Sequence, residues 1–176
     1  IDLSSLEVDK FEFKMRSVEL KDICRSVYNM FSQKTKPEVS FIFDNNILPS
    51  VFLYTDPKRL HQVLSNLIDN AVKFTNKGSI RFGYEIQSEE NTDKQFVRIY
   101  VEDTGIGIDK NYNHVLFDRF FKADNFTQGF GLGLPIAKKL TEGMGGELKF
   151  TSEIGCGSKF WIKIPILSTA NGKLIT

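Results

Sequence analysis

Six residues, DTGIGI (Asp103–Ile108), put one carboxylate and two glycines at the end of QFVRIYVE, a run that alternates like a strand. Glycine permits a chain path that brings backbone close to a neighbour or a ligand. A turn needs one glycine at most, so the second glycine and the acid both ask for chemistry.

A second set of polar residues lies on a helix. In RLHQVLSNLIDNAVKF, wound at about 100° per residue, Leu60, Val63, Leu64, Leu67, Ala71 and Phe74 form a core stripe. Asn66, Asn70 and Lys73 line up at its border. Asn is a mediocre helix former because its side chain competes for backbone hydrogen bonds. Any one of the three alone reads as a solvated helix edge; together they aim two amide oxygens and an ammonium the same way. Oxygen ligands suit Mg²⁺ and a Lys suits phosphate. His61 falls on roughly the opposite side of the wheel and reads as a surface residue.

GFGLGL (Gly129–Leu134) precedes a helix, where backbone N–H groups and the helix dipole favour phosphate. The spacing G-x-G-x-G after ADNFTQ fits neither a dinucleotide fold nor a Walker loop, and alone it is a flexible helix entry. GCGS (Gly155–Ser158) alone reads as a hairpin turn. LFDRFFK offers Phe117, Phe120 and Phe121 as core fillers, while Arg119 and Lys122 could reach a phosphate.

The bulk numbers fit one soluble domain: 176 residues, 41% hydrophobic, 26% charged, net charge +1. That balance supplies no global field for nucleic acid or an acidic membrane, and no apolar run is long enough to span a bilayer. Cys24 and Cys156 are too far apart for a zinc or redox motif and are expected as free thiols; His61 and His114 lack partners for a metal site. The chain opens IDLSSLEVDK, without Met or signal peptide, as expected of a piece of a longer protein.

The elements that must position these residues follow from periodicity. FEFKMRSVEL reads as a first strand. ELKDICRSVYNMFSQK is an amphipathic helix with Leu20, Ile23, Val27, Met30 and Phe31 on one side. VSFIFDN and SVFLYT are strands. Thr55 or Asp56 caps the next helix, Pro57 suits its first position, and Gly78 suits a left-handed stop. SIRFGYEIQ and QFVRIYVED form a hairpin, Asp109–Gln128 is a long irregular stretch containing the short helix candidate HVLFDRFFK, LGLPIAKKLTEGMGG is a helix, and ELKFTSE with SKFWIKIPI closes a second hairpin. The fold class expected is α+β: a two-layer sandwich, its mixed, mostly antiparallel sheet covered on one face by about three helices.

Taken in order, the segments resemble the ATP-binding catalytic domain of sensor histidine kinases, within the gyrase, chaperone, kinase and mismatch-repair ATPase superfamily. NLIDNAVKFT resembles its N box, DTGIGI the first glycine box, LFDRFFK the F box, GFGLGL the second glycine box and GCGSKF the last. The resemblance covers about residues 11–167 and implies a Bergerat-type fold. It also implies that residues 1–10 end the second helix of a dimerisation and phosphoacceptor hairpin, and that 168–176 form a tail. By resemblance, Asp103 accepts from the adenine exocyclic amine, Gly105 and Gly107 let the backbone pass under the base, Asn70 binds Mg²⁺, and Lys73 lies near the phosphates. Phe74 lies against adenine where many relatives have Tyr. Asn66, Ile108, Arg119, Lys122, Gly129, Gly131, Leu132, Gly133, Leu134 and Ser158 complete the expected nucleotide shell, with Asn66, Lys73 and Arg119 as catalytic candidates and Asp109–Gln128 as a lid.

Two positions depart from the family: no phosphoacceptor His is present, and Pro135 follows the second glycine box where relatives usually carry Ser or Ala. ATP-hydrolysing members carry a Glu where Asn66 stands, and an amide cannot activate water. The function implied is transfer of the ATP γ-phosphate to a histidine of the upstream hairpin; a regulatory nucleotide-binding module or ATPase is the alternative. The resemblance further implies a response-regulator receiver domain downstream, a homodimeric full-length protein with this piece monomeric, and a cytoplasmic location beneath a membrane receptor.

Overall fold

The structure is a computed structural model that describes residues 11–44, 50–89, 92, 94–118 and 132–166. Its elements in chain order are β1 (Arg16–Glu19), α1 (Leu20–Phe31), β2 (Val39–Phe43), β3 (Phe52–Thr55), α2 (Pro57–Phe74), β4 (Gly78–Ser88), β5 (Gln95–Asp103), a 3₁₀ turn (Lys110–Tyr112), α3 (Gly133–Gly143), β6 (Glu147–Glu153) and β7 (Gly157–Ile166). The main sheet runs β2-β4-β5-β7-β6, antiparallel throughout except for the parallel pair β2–β4. The first strand is shorter than its alternation suggests. It pairs only with the four-residue β3, in a separate two-stranded sheet with Val18 opposite Leu53.

Alternation along β5 sends Val97, Ile99 and Val101 into the core; β4 contributes Ile80, Phe82 and Tyr84, and β7 Phe160, Ile162 and Ile164. The helices press Leu20, Val27, Leu60, Leu64, Leu67, Ile68, Ala137 and Leu140 against them. Asp103 is the next residue of the β5 alternation, so the pleat itself carries its carboxylate to the helix-covered side, where the residue is 7% exposed. On the other face the Arg98 guanidinium lies over Trp161 at 4.5 Å and the Lys163 ammonium over Phe96 at 3.6 Å. The cations thus keep these rings from presenting bare apolar surface.

Helix α2 begins as expected. Asp56, not Thr55, is the cap: its Oδ1 accepts from Lys58 and Arg59 N–H at 2.9 and 3.0 Å, while its Oδ2 accepts from Lys14 N–H at 2.8 Å. One side chain therefore starts the helix and pins the segment before β1. The far end differs from expectation. The helix stops at Phe74 with Thr75 as its extended C-cap; Gly78 does adopt a positive φ of 113°, but as the first residue of β4. A Cβ there would collide with Thr104 Oγ1, so packing on the neighbouring strand end explains this glycine. In α1, Met30 turns outward at 42% exposed and Cys24 takes its place in the core. Cys24 lies nearer the centre of the stripe, and burial pushes its thiol up to about 12. Both cysteines are free, as expected. His61 is half-buried rather than on open surface, its ring between Ser26 of α1 at 3.4 Å and Ser65 at 3.3 Å.

Candidate functional site: the Asp103 carboxylate and the helix ends around it

Three elements meet at Asp103. Its Oδ1 accepts from Gly105 N–H at 2.8 Å. Across the β5–β7 pair it faces Ser158, whose backbone N–H also supports the carboxylate. Burial nevertheless holds the group above the usual carboxylate range; the N–H groups of Gly105 and Ser158 and the Thr75 side chain oppose that rise, and the neighbouring Glu102 charge adds to it. A pure acceptor kept at that cost fits a ligand that donates.

The glycines of this loop have a more definite reason than open space for a base. A Cβ on Gly105 would overlap Phe74 O and sit 2.8 Å from Asp103 Oδ1. One on Gly107, where φ is 71°, would overlap Glu153 O. The loop is fastened to both neighbours: Ile106 N–H donates to Phe74 O at 3.2 Å, and Ile106 O accepts from Gly155 N–H at 2.8 Å. The end of α2, the glycine loop and the β6–β7 turn are thus joined backbone to backbone. Gly157 completes the joint, with φ 104° and no room for a Cβ beside Asp103 O.

Ser152 was not singled out by the sequence, yet it organises this corner. Its Oγ accepts from Ile108 N–H at 2.8 Å, donates to Gly157 O at 2.9 Å and lies 2.9 Å from Ser158 Oγ. Ser152 has its proton committed to Gly157, so Ser158 is the donor in that pair.

The asparagine line sits on α2 as the wheel predicts. Asn66 and Asn70 are half-buried and Lys73 is exposed. Asn66 Nδ2 donates to Gly133 O at 3.1 Å, tying α2 to the first residue of α3. Lys73 Nζ is paired with Asp69 Oδ2 at 2.5 Å, one turn back. The sequence reading missed Asp69 as a competitor for this lysine, although i, i+4 spacing is the signal for such a pair.

Helix α3 starts at Gly133 with no side-chain cap; Leu132 and Pro135 are buried, Leu134 half-buried. Pro135 is the third helical residue, where a backbone N–H has no intrahelical partner, so the proline breaks no ladder bond. Among the described residues a Cβ on Gly133 would meet only Asn66, at an ordinary 3.9 Å, so none of them demands that glycine. Phe74 and Ile108 are half-buried beside the loop. Leu116 of this segment enters the core and Phe117 packs half-buried against it, edge-on to Phe150 at 5.7 Å; Phe120 and Phe121 lie outside the described residues. The described part of HVLFDRFFK is a run of turns rather than helix. Arg119, Lys122, Gly129 and Gly131 lie outside the described residues, as do 1–10 and 168–176.

A family model described as histidine kinase-, DNA gyrase B- and HSP90-like ATPase matches residues 55–168, a span that holds α2, the Asp103 loop and α3 together. The chain belongs to that family. Within this ATPase family it is 36% identical over 171 residues to the autoinducer 2 sensor kinase/phosphatase LuxQ of Vibrio vulnificus (strain YJ016), covering 94% of this chain and 20% of that protein. It is 38% identical over 172 residues to the sensor protein GacS of Pseudomonas syringae pv. syringae, covering 94% and 18%. The chain therefore spans about a fifth of the length of these relatives.

Among solved structures it is similar to the catalytic domain of the histidine kinase ThkA, with 29% identity, TM-score 0.70, and coverage of 88% of this chain and 98% of that one. Full-length ShkA in complex with AMPPNP matches at 29% identity and TM-score 0.70, covering 88% and 31%. The expected α+β sandwich, with a mostly antiparallel sheet under three helices, is the fold of this ATPase domain of the histidine kinase type.

Proposed function

We propose that the domain binds ATP with Mg²⁺ and presents the γ-phosphate to a histidine on a helical hairpin elsewhere in its own protein. It would thereby act as the catalytic part of a two-component sensor histidine kinase. The observation that carries this reading is the buried Asp103 carboxylate, held by backbone N–H groups and kept as an acceptor against its burial. Adenine offers that acceptor its exocyclic amine, whereas guanine would present a carbonyl and be repelled. Phe74 and Ile108 supply apolar wall beside it. The match to ShkA, solved with the ATP analogue AMPPNP, supports a nucleotide in the cleft.

The phosphates fall to the start of α3. The helix end carries partial positive charge and no capping side chain, and the described residues leave room at Gly133. Asn66 holds that end in place through Gly133 O. Among the described residues no group of three His, Cys, Asp or Glu could hold a metal by itself. Mg²⁺ usually keeps several waters and is held by one or two side chains, most often carboxylates, plus substrate phosphates; Asn70, whose amide oxygen can serve, is the residue proposed to hold it. When bound, Mg²⁺ neutralises charge on the phosphates. Lys73 would add its charge after leaving Asp69. Arg119, Lys122, Gly129 and Gly131 join the proposal through the family resemblance. The proposed partners are the dimerisation and phosphoacceptor hairpin and a downstream receiver domain, within a homodimer. Among the described residues no helix is long and apolar enough to cross a membrane, and a cytoplasmic position belongs to the same proposal.

Asp103→Asn tests the reading. Loss of a hydrogen bond to a charged group is worth roughly 1.5–3 kcal/mol, so Mg-ATP affinity should fall tenfold or more by calorimetry. The nucleotide-free fold should gain stability at neutral pH. A raised carboxyl penalises the fold fully above its native pKa, and the penalty vanishes only below the unfolded value. Equal affinity in both proteins would overturn the assignment.

A further inference from the structure

Beside Asp103 lies a hydroxyl that the nucleotide reading leaves unused. Thr75 is the C-cap of α2, with its N–H bonded to Ala71 O at 3.0 Å, and it is 0% exposed. Its Oγ1 is buried and makes no hydrogen bond of ordinary geometry among the described residues. A buried hydroxyl without a partner is costly, and folded proteins keep few of them.

The backbone places this hydroxyl at the carboxylate. The peptide joining Phe74 to Thr75 is the one that receives Ile106 N–H at 3.2 Å, and a Cβ on Gly105 would touch both its oxygen and Asp103 Oδ1. Thr75 is fully enclosed while Asp103 is 7% exposed. The threonine is therefore closed to solvent at a place where the acid keeps some exposure.

We infer that Thr75 is a positioning residue for base recognition: its hydroxyl donates to the Asp103 carboxylate and fixes which oxygen is turned to the base. The inference rests on the adenine reading of Asp103. Gly105 N–H occupies Oδ1 and Ser158 N–H supports the same group. A carboxylate has about four lone-pair sites, which leaves room for the hydroxyl and for the base's amine.

Among the described residues, charged groups on neighbouring segments are spoken for. Glu102 is bonded to Lys159 at 3.1 Å, Lys73 is paired with Asp69, and Asp109 accepts from Asn111 N–H at 2.9 Å. Glu153 meets the loop through its backbone, and β4 places the apolar Ile80 opposite Asp103. Among the described residues Thr75 is left as the side-chain donor to the acid, and the carboxylate is the acceptor that its orphaned hydroxyl lacks.

The test compares Thr75→Val, which keeps the shape and removes the hydroxyl, with Thr75→Ser, which keeps the hydroxyl. The Asp103 carboxyl is titrated by carbon NMR in nucleotide-free protein, and Mg-ATP affinity is measured across the same pH range. In Thr75→Val the carboxyl midpoint should move to higher pH, affinity should be lost at a higher pH than in the wild type, and affinity at pH 7 should drop about tenfold. Thr75→Ser should restore all three. If Thr75→Val does not fold, Thr75→Cys, a weaker donor of similar size, should give the same shifts in smaller measure. An unmoved midpoint overturns the role of Thr75, and leaves the adenine reading standing where Asp103→Asn still loses affinity. A moved midpoint beside an Asp103→Asn variant that binds like the wild type is instead a failure of the adenine reading, and overturns base positioning with it.

Discussion

Asn66 of α2 donates through Nδ2 to the carbonyl of Gly133, the first residue of α3, at 3.1 Å. The bond joins positions 67 apart in the chain and fixes where the uncapped end of α3 points. Asn66→Ala should cost about 1 kcal/mol of stability and speed amide exchange in the first turn of α3, while exchange in the middle of α2 stays slow. Unchanged exchange at Leu134 and Ile136 would mean that this contact does not hold the helix start.

Two glycines in one turn should respond very differently to alanine. Gly155 has φ 77° and, among the described residues, nothing within 4 Å of a built Cβ, so Gly155→Ala pays only the left-handed backbone penalty, about 1–2 kcal/mol. Gly157 has φ 104° and would drive its Cβ into Asp103 O, and the strand pair cannot yield there without moving the carboxylate. Gly157→Ala should cost more than roughly 3 kcal/mol. Urea melts of the two variants with similar midpoints would contradict this account of the joint.

The ease of reading these features from sequence tracks how local they are. Helix α2 was legible because its start is chemical, Asp56 before Pro57, and its core stripe repeats over 18 residues. Asp103 stood out because an acid ended an alternating strand. By contrast, the parallel entry of β2 beside β4 and the separate β1–β3 pair depend on which edges meet in three dimensions, which periodicity does not encode. Gly78 reads as a helix stop because a glycine after a helix signals a cap, whereas it opens β4 at a positive φ, with Thr104, 26 residues on, filling the place of a Cβ. Ser152 and Thr75 were missed for a related reason. A single hydroxyl in a strand or at a helix end has no pattern; Ser152 matters through Ile108, 44 residues away, and through Gly157 and Ser158 across its hairpin turn, and Thr75 through Asp103 on another element.

Asp56 offers a pH-dependent contribution to stability whose sign can be worked out. Burial alone would raise its pKa, but the N–H groups of Lys14, Arg59 and Lys58 and the Arg59 charge outweigh that and hold it below the ordinary 3.8. A depressed carboxyl stabilises the fold above its unfolded pKa and loses that contribution as pH falls through the lower native value. Asp56→Ala should cost about 1–2 kcal/mol at pH 7, and Asn, itself a good cap, should recover most of it. The gap between wild type and Asp56→Asn should narrow as pH drops from 5 towards 3, by chemical denaturation. A constant gap would show that the charge adds nothing to the cap.

Lys73 and Asp69 pose the last question, because the lysine proposed for the phosphates is already paired, at 2.5 Å, with both side chains about half exposed. Pairs of that exposure are worth roughly 0–1 kcal/mol, and i, i+4 helix pairs about 0.3–0.5. Leaving Asp69 is therefore a small cost set against new bonds to phosphate oxygens. Asp69→Asn should lower stability by no more than about 0.5 kcal/mol and raise Mg-ATP affinity by up to about fivefold, with the gain shrinking at high salt. Lys73→Ala should weaken binding, and the double variant should show no benefit from the Asp69 change, since the freed charge is no longer there to be used. If Asp69→Asn weakens binding instead, the carboxylate is aiming the ammonium at the phosphates rather than competing for it. The release step would then be abandoned.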